Sequence, residues 1–252
     1  MKKMMKAAAV LAAMVMALSL SACSNNDDDE PSDGDGVIAT LPKASGRDPF
    51  KNGYYSPKSR RDGWSFFGSI VKDEKGKYYD GLICADLSDF IKFDTSTRTL
   101  ELLNHDKMVH DNGVQFKYTY NEADKTVTLV LSKRAIPTDP SKYIEYAINE
   151  NYTDDYYRNN ISFRLGSLSE FKKALVTVYA NEAYRKWWTS EGNSLAELDA
   201  QIKQIESEHE EAFATLLVYT YTVNADGSIK LDLTSPTPID DEQSTTLQFV
   251  GN

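Results

Sequence analysis

Apolar and polar positions alternate with a period of two over most of residues 64–132, and short polar clusters interrupt the alternation. The pattern is clearest at 114–120, where Val114, Phe116, Tyr118 and Tyr120 alternate with Gln115, Lys117 and Thr119. Val127, Leu129 and Leu131 repeat it after the polar stretch 121–125. Successive side chains of a strand point to opposite faces, so each run reads as a strand with one dry and one wet side. Further strands are predicted at 64–72, 77–85, near 89–93 and at 98–104. Asp73-Glu74-Lys75-Gly76, Asp94-Thr95-Ser96-Thr97 and Asp111-Asn112-Gly113 divide them, residue types that bond their own backbone or tolerate positive φ. Short strands at this spacing make a meander.

From residue 139 the period lengthens. Asp139-Pro140 pairs an N-cap with proline at the first helical position and predicts a short helix to about residue 150. Ser167-Leu168-Ser169-Glu170 is a capping box, and Leu168, Phe171, Leu175 and Val178 share one face of a helix running to about Trp188. Gly192 supplies a break, and Ser194-Leu195-Ala196-Glu197 is a second box. Behind it Leu195, Leu198, Ile202, Ile205, His209, Ala212 and Leu216 form the narrow stripe of a helix packed on a partner, so the two helices are expected as an antiparallel hairpin. Strands return at 215–223, 229–233 and 245–250, and residues 122–131 align with 224–233 as two hairpins of one type. The expected fold is α+β: a mainly antiparallel β-meander or incomplete barrel with an inserted helical hairpin at about 139–213.

The first 22 residues stand outside this pattern. Lys2, Lys3 and Lys6 precede the apolar run 7–20, whose 14 residues would rise about 21 Å as a helix, short of the roughly 30 Å hydrocarbon core. The run is therefore the core of a signal peptide, 1–22, and not a span. Leu20-Ser21-Ala22-Cys23 follows and resembles the bacterial lipobox, which implies cleavage before Cys23 and lipid on its sulfur. Two or three acyl chains anchor firmly where one is marginal, at about 0.8 kcal/mol per buried methylene. Residues 23–36 carry six acids, no base and no large apolar side chain, the composition of a disordered tether. An acidic run directly after the lipid cysteine, Asp27-Asp28-Asp29-Glu30, resembles the export signal of surface lipoproteins in Bacteroidota. That resemblance spans residues 1–30 and implies the outer membrane, surface-exposed, with the periplasmic face as the alternative.

Residues 37–63 then reverse the charge. Lys43, Arg47, Lys51, Lys58, Arg60 and Arg61 oppose Asp48 and Asp62, while Pro42, Pro49, Pro57, Gly46 and Gly53 predict an irregular basic arm. Its charges suit either anionic lipid head groups or the acidic surface of the domain, residues 64–252. The whole chain carries −10, and losing three lysines with the signal peptide takes it to −13. No nucleic-acid partner is expected of such a balance, because phosphate needs a basic face. Cys84 is the sole cysteine left once Cys23 is acylated, so no intramolecular disulfide is expected. The meander with Gly63-Trp64 at its first strand also resembles lipocalin-like bacterial lipoproteins; the helical insertion and the lack of a second motif depart from that pattern.

Chemistry is sparsely signalled. His105-Asp106 and His110-Asp111 stand five apart, a spacing that parts them on a strand or a helix, and no third cluster completes a metal site. They read as polar loop, and no metal or cofactor is expected. His209 reads as a core-edge histidine and Cys84 as a small buried hydrophobe. No nucleophile elbow, phosphate loop or paired-histidine motif occurs, so no catalytic residue is assigned. The positive signal is aromatic: Tyr54-Tyr55, Tyr78-Tyr79, Tyr156-Tyr157 and Trp187-Trp188 are adjacent pairs. Residues 149–160 add amides and carboxylates around Tyr156 and Tyr157. Trp187, Trp188, Tyr156 and Tyr157 are the candidate ligand-binding residues, either as platforms for sugar rings or as tyrosines and tryptophans covering the core rim. The expected function is a non-catalytic binding lipoprotein with glycan as the favoured ligand, the alternatives being an assembly subunit docking on another envelope protein or a hydrolase with carboxylates yet to be placed.

Overall fold

The computed structural model describes residues 41–58, 90–111, 113–149, 151–207, 216–235 and 246–251, together with four two-residue strand pieces between 65 and 86. Those pieces, β2 (Ser65–Phe66), β3 (Val71–Lys72), β4 (Tyr78–Tyr79) and β5 (Ala85–Asp86), pair as β2–β5 and β3–β4. The signal peptide, Cys23, the acidic tether, Gly63, Trp64, Cys84 and His209 lie outside the described residues.

Eight antiparallel strands make the frame. They are β1 (Gly53–Pro57), β6 (Phe90–Asp94), β7 (Thr99–Leu103), β8 (Val114–Asn121), β9 (Thr126–Pro137), β11 (Leu217–Val223), β12 (Ile229–Ser235) and β13 (Thr246–Gly251). Their order is β9-β11-β12-β13-β1-β6-β7-β8, and β8 returns to β9 along its whole length, from Val114 opposite Arg134 to Asn121 opposite Thr126. The sheet therefore closes, so the barrel is complete where the meander alone predicts an incomplete one. The strand that closes it was hidden in the basic arm: Tyr55 of β1 stands between Gly251 and Ile91. The arm predicted as irregular thus contributes a wall strand, and its Lys58 reaches Asp226 at 2.8 Å. The aligned hairpin turns also match, with Lys125 (φ 53) and Gly227 (φ 79) both left-handed at corresponding positions.

Alternation decides what fills the barrel. Ile91, Phe93, Leu100, Leu102, Val114, Phe116, Tyr118, Val127, Leu129, Leu131, Leu217, Tyr219, Leu231 and Phe249 turn inward and are almost fully buried. An eight-stranded barrel is just wide enough for side chains to fill it. Phe50, which belongs to no strand, closes one mouth: its ring stacks on Phe93 at 4.0 Å and meets Tyr118 edge-on at 5.3 Å. Asp48 holds it there, accepting from Phe50 N–H and from the Tyr118 hydroxyl, each at 2.9 Å.

The second layer is helical: α1 (Pro140–Ile148), α2 (Asp154–Asn160), α3 (Leu168–Ala180), α4 (Glu182–Ser190) and α5 (Leu195–Ser207). Asp139 caps α1 through Ser141 and Lys142 N–H, and the Ser167–Glu170 box caps α3 with both reciprocal bonds in place. The single helix predicted from Ser167 to about Trp188 is two helices. Asn181 is extended (φ −64, ψ 131) and its side chain accepts from Ala183 and Tyr184 N–H, so an asparagine ends one helix by starting the next. The α4–α5 turn follows at Gly192 (φ 82). Phe171, Leu175, Val178 and Tyr179 of α3 pack on Ile136 of β9, on Tyr143 and Ile144 of α1, and on Tyr184 and Leu198. Between α2 and α3 runs β10 (Phe163–Ser167), where the sequence predicts no element; it pairs with the far end of β9 beyond the barrel.

Candidate functional site

The four candidate aromatics fall at two places in the helical layer. Trp187 and Trp188 are both half-buried and both lean on the buried Tyr184, with ring centroids 5.2 and 6.3 Å away. Trp188 Nε1 donates to the Ser194 carbonyl at 3.1 Å and so ties the end of α4 to the start of α5. The pair shares the packing of the hairpin tip between its two rings.

Tyr156 and Tyr157 part company on α2, as neighbours about 100° apart on a helix must. Tyr157 turns inward, 4.8 Å from Tyr146 and 6.0 Å from Phe163. There it meets Asp111. Burial first, and the facing Asp111 carboxylate second, push the Tyr157 phenol far above its ordinary value. The same two causes raise Tyr143, and burial with Asp154 and Asp111 raises Tyr146. His110 Nδ1 lies 3.3 Å from Asp111 Oδ1, with both side chains largely covered. Sequence reasoning set this histidine–aspartate doublet aside as polar loop. That reading holds for His105–Asp106, an exposed pair 3.0 Å apart. Asp111 also lies in a turn, but it is half-buried there, and its charge is felt by three tyrosines on two helices, Tyr143, Tyr146 and Tyr157, which a turn motif does not signal.

The phenols of this cluster stay protonated at all ordinary pH and cannot serve as bases. The adjoining cavity is walled by Ile136, Tyr143, Phe163, Phe171 and Leu175 with Asp111 at its edge. The space open to the centre of a water-sized sphere is about 20 Å³, enough for about one water and far from a sugar ring. Among the described residues no three His, Cys, Asp or Glu side chains gather to hold a metal ion.

Tyr156 turns outward. Its ring stacks on Tyr152 with centroids 4.0 Å apart and planes 16° from parallel, and both residues are half-buried. Partial desolvation, a hydrogen bond with the Tyr152 hydroxyl, and the Glu145 carboxylate raise the Tyr156 phenol. Thr153 caps the helix beneath it by accepting from Tyr156 N–H at 3.2 Å, and Asn160 Nδ2 donates to the Tyr156 carbonyl at 2.9 Å. Asn151, Asp154, Asp155 and Asn159 stand exposed around this plate. Tyr152 was not among the sequence candidates; it precedes the Thr153 cap and folds back onto the first turn of the helix, a placement that its position just before a capping threonine could have signalled.

No family model, no curated protein and no solved structure matches this chain.

Proposed function

We propose that the chain is a lipid-anchored lipoprotein of the outer membrane whose surface-exposed domain is a non-catalytic binding module for glycan. Lipid on Cys23, the acidic tether and the ordered domain then divide the work of anchoring, spacing and binding. The observation that carries the binding half of this reading is the Tyr152–Tyr156 stack. With the barrel filled by its own side chains, a ligand has to be held on the outside of the fold. Of two rings stacked face to face, each covers one face of the other and leaves its outer face for the CH face of a sugar, and the neighbouring amides and carboxylates offer partners for its hydroxyls. Tyr157, packed on Tyr146 and Phe163, belongs to the support beneath the plate. Trp187 and Trp188 form a second half-buried aromatic patch at the α4–α5 turn.

The test uses intact cells displaying the anchored chain, incubated with a panel of fluorescent polysaccharides and read by flow cytometry. At least one polysaccharide should label the cells, and Tyr156→Ala displayed at equal level should abolish that labelling. Labelling by none of the panel, or labelling that Tyr156→Ala leaves intact, contradicts the reading.

A further inference from the structure

β10 ends the sheet, hydrogen-bonded to β9 along one edge. Three contacts fix which of its backbone groups face the other way. Thr138 N–H donates to the Ser162 carbonyl at 2.9 Å, so Ser162, and by alternation Arg164 and Gly166, turn toward β9. Ala135 N–H donates away from β10, to the Gly113 carbonyl at 2.7 Å, which makes Leu165 and its partner Ala135 a pair with no bonds between them. Phe163 stands opposite Pro137, which has no N–H to give. Phe163, Leu165 and Ser167 therefore direct their backbone groups outward. Glu170 Oε2 takes the Ser167 N–H at 2.9 Å. Phe163 and Leu165 have no such partner among the described residues. They leave two N–H and two C=O groups, repeating about 7 Å apart, on a strand that pairs with β9 alone among the described strands.

An open sheet edge is a template for another strand. Charge says which. Arg164, between the two outward pairs, is exposed and 2.8 Å from Glu170. Lys133 lies across from Ser167, and α3 carries Lys172 and Lys173 just beyond. This is a local cationic excess on a chain of net charge −10. Pairing with a second copy about Arg164 would oppose two guanidinium groups across the seam, a like-charge pair that destabilises. A strand with a carboxylate at that position is complementary instead.

We propose that the outer edge of β10 is a strand-addition site for an extended, acidic segment of a partner protein, bonded through the backbone of Phe163 and Leu165 with a carboxylate set against Arg164. The site is separate from the tyrosine plate and does not depend on it.

The test titrates the full mature chain into a fluorescein-labelled peptide, Thr-Val-Glu-Val-Glu-Val-Thr, by anisotropy, with amide exchange read by NMR. Saturable binding that slows exchange at Phe163 and Leu165 is expected. Leu165→Pro deletes one outward N–H and leaves the ladder to β9 whole; it should weaken binding roughly tenfold or more, because a partner carbonyl then goes unsatisfied. Leu165→Ala, which keeps that N–H, should stay within about threefold of the wild type. Arg164→Glu should transfer preference to the same peptide with lysine for glutamate, an outcome that does not depend on how the proline variant folds. No saturation up to about 1 mM overturns the proposal. So does a folded Leu165→Pro that binds as well as the wild type, or an Arg164→Glu that keeps the acidic preference. Protection of Phe163 and Leu165 that grows with protein concentration without peptide also overturns it, and gives the edge to a second copy.

Discussion

Truncating Phe50 asks whether the basic arm is part of the barrel or merely lies upon it. The ring is 4% exposed and sits 4.0 Å from Phe93, 5.3 Å from Tyr118 and 6.2 Å from Phe249. Removing a buried phenylalanine costs about 3–5 kcal/mol, and aromatic pairs add about 0.5–1.5 kcal/mol beyond the area they bury. Phe50 sits in a chain segment that can settle partway into the space it leaves, so Phe50→Ala belongs near the lower end, about 3 kcal/mol. Phe93 is held in a wall strand paired on both sides, so Phe93→Ala belongs near about 5 kcal/mol. Because the two rings share a face, the double variant should cost less than the sum, by about 1 kcal/mol. Tyr118→Phe, which leaves the Asp48 carboxylate without its phenol donor, should cost about 1.5–3 kcal/mol. Urea denaturation followed by far-UV circular dichroism gives all of these. A Phe50→Ala cost under about 1 kcal/mol, or strict additivity with Phe93→Ala, would refute the stopper and return the arm to the surface.

Further outcomes follow from the anchor and from the charged groups. Cys23→Ala should abolish metabolic labelling with palmitate, and undiminished labelling would sink the lipoprotein assignment. Replacing Asp27, Asp28, Asp29 and Glu30 together by alanine should turn the chain from protease-accessible to protease-protected on intact cells; equal accessibility points to the periplasmic face. Glu170 is held at about 2 by the Arg164 guanidinium and the Ser167 N–H, and Asp94 at about 2 by the Ser96 hydroxyl and the Thr97 N–H. A depressed carboxylate stabilises above its unfolded value near 4 and loses that contribution as pH falls through the folded value. The urea midpoint should therefore drop between about pH 4.5 and pH 2, and Glu170→Gln should flatten that drop; an unchanged slope contradicts the assignment.

What could be read from the sequence was what is local. β8, the first half of β9 and the β11–β12 hairpin announce themselves by alternation and by their turn residues, and α1 and α3 by their caps. β1 could not be seen because its five residues, GYYSP, carry a glycine and a proline, and its partners Ile91 and Phe249 lie far along the chain. Closure depends on those distant pairings and so has no local trace. β10 is five residues between helices, a strand only because β9 overruns the barrel far enough to receive it. At Asn181 the apolar face carries on past the break, so periodicity alone reads one helix for two. The candidate residues were legible as aromatics, yet their roles were not: Tyr157 turns inward onto Tyr146 and Phe163, while Tyr152 stacks on Tyr156.

Affinity electrophoresis of the soluble mature chain through gels holding the polysaccharide that labels cells tests the central claim most directly, comparing wild type, Tyr156→Ala and Tyr156→Trp. Retardation of the wild type, loss of at least about fivefold in affinity for Tyr156→Ala with an unchanged urea midpoint, and retention equal or greater for Tyr156→Trp are predicted, since a larger ring keeps the plate. Equal retardation of all three proteins would contradict it.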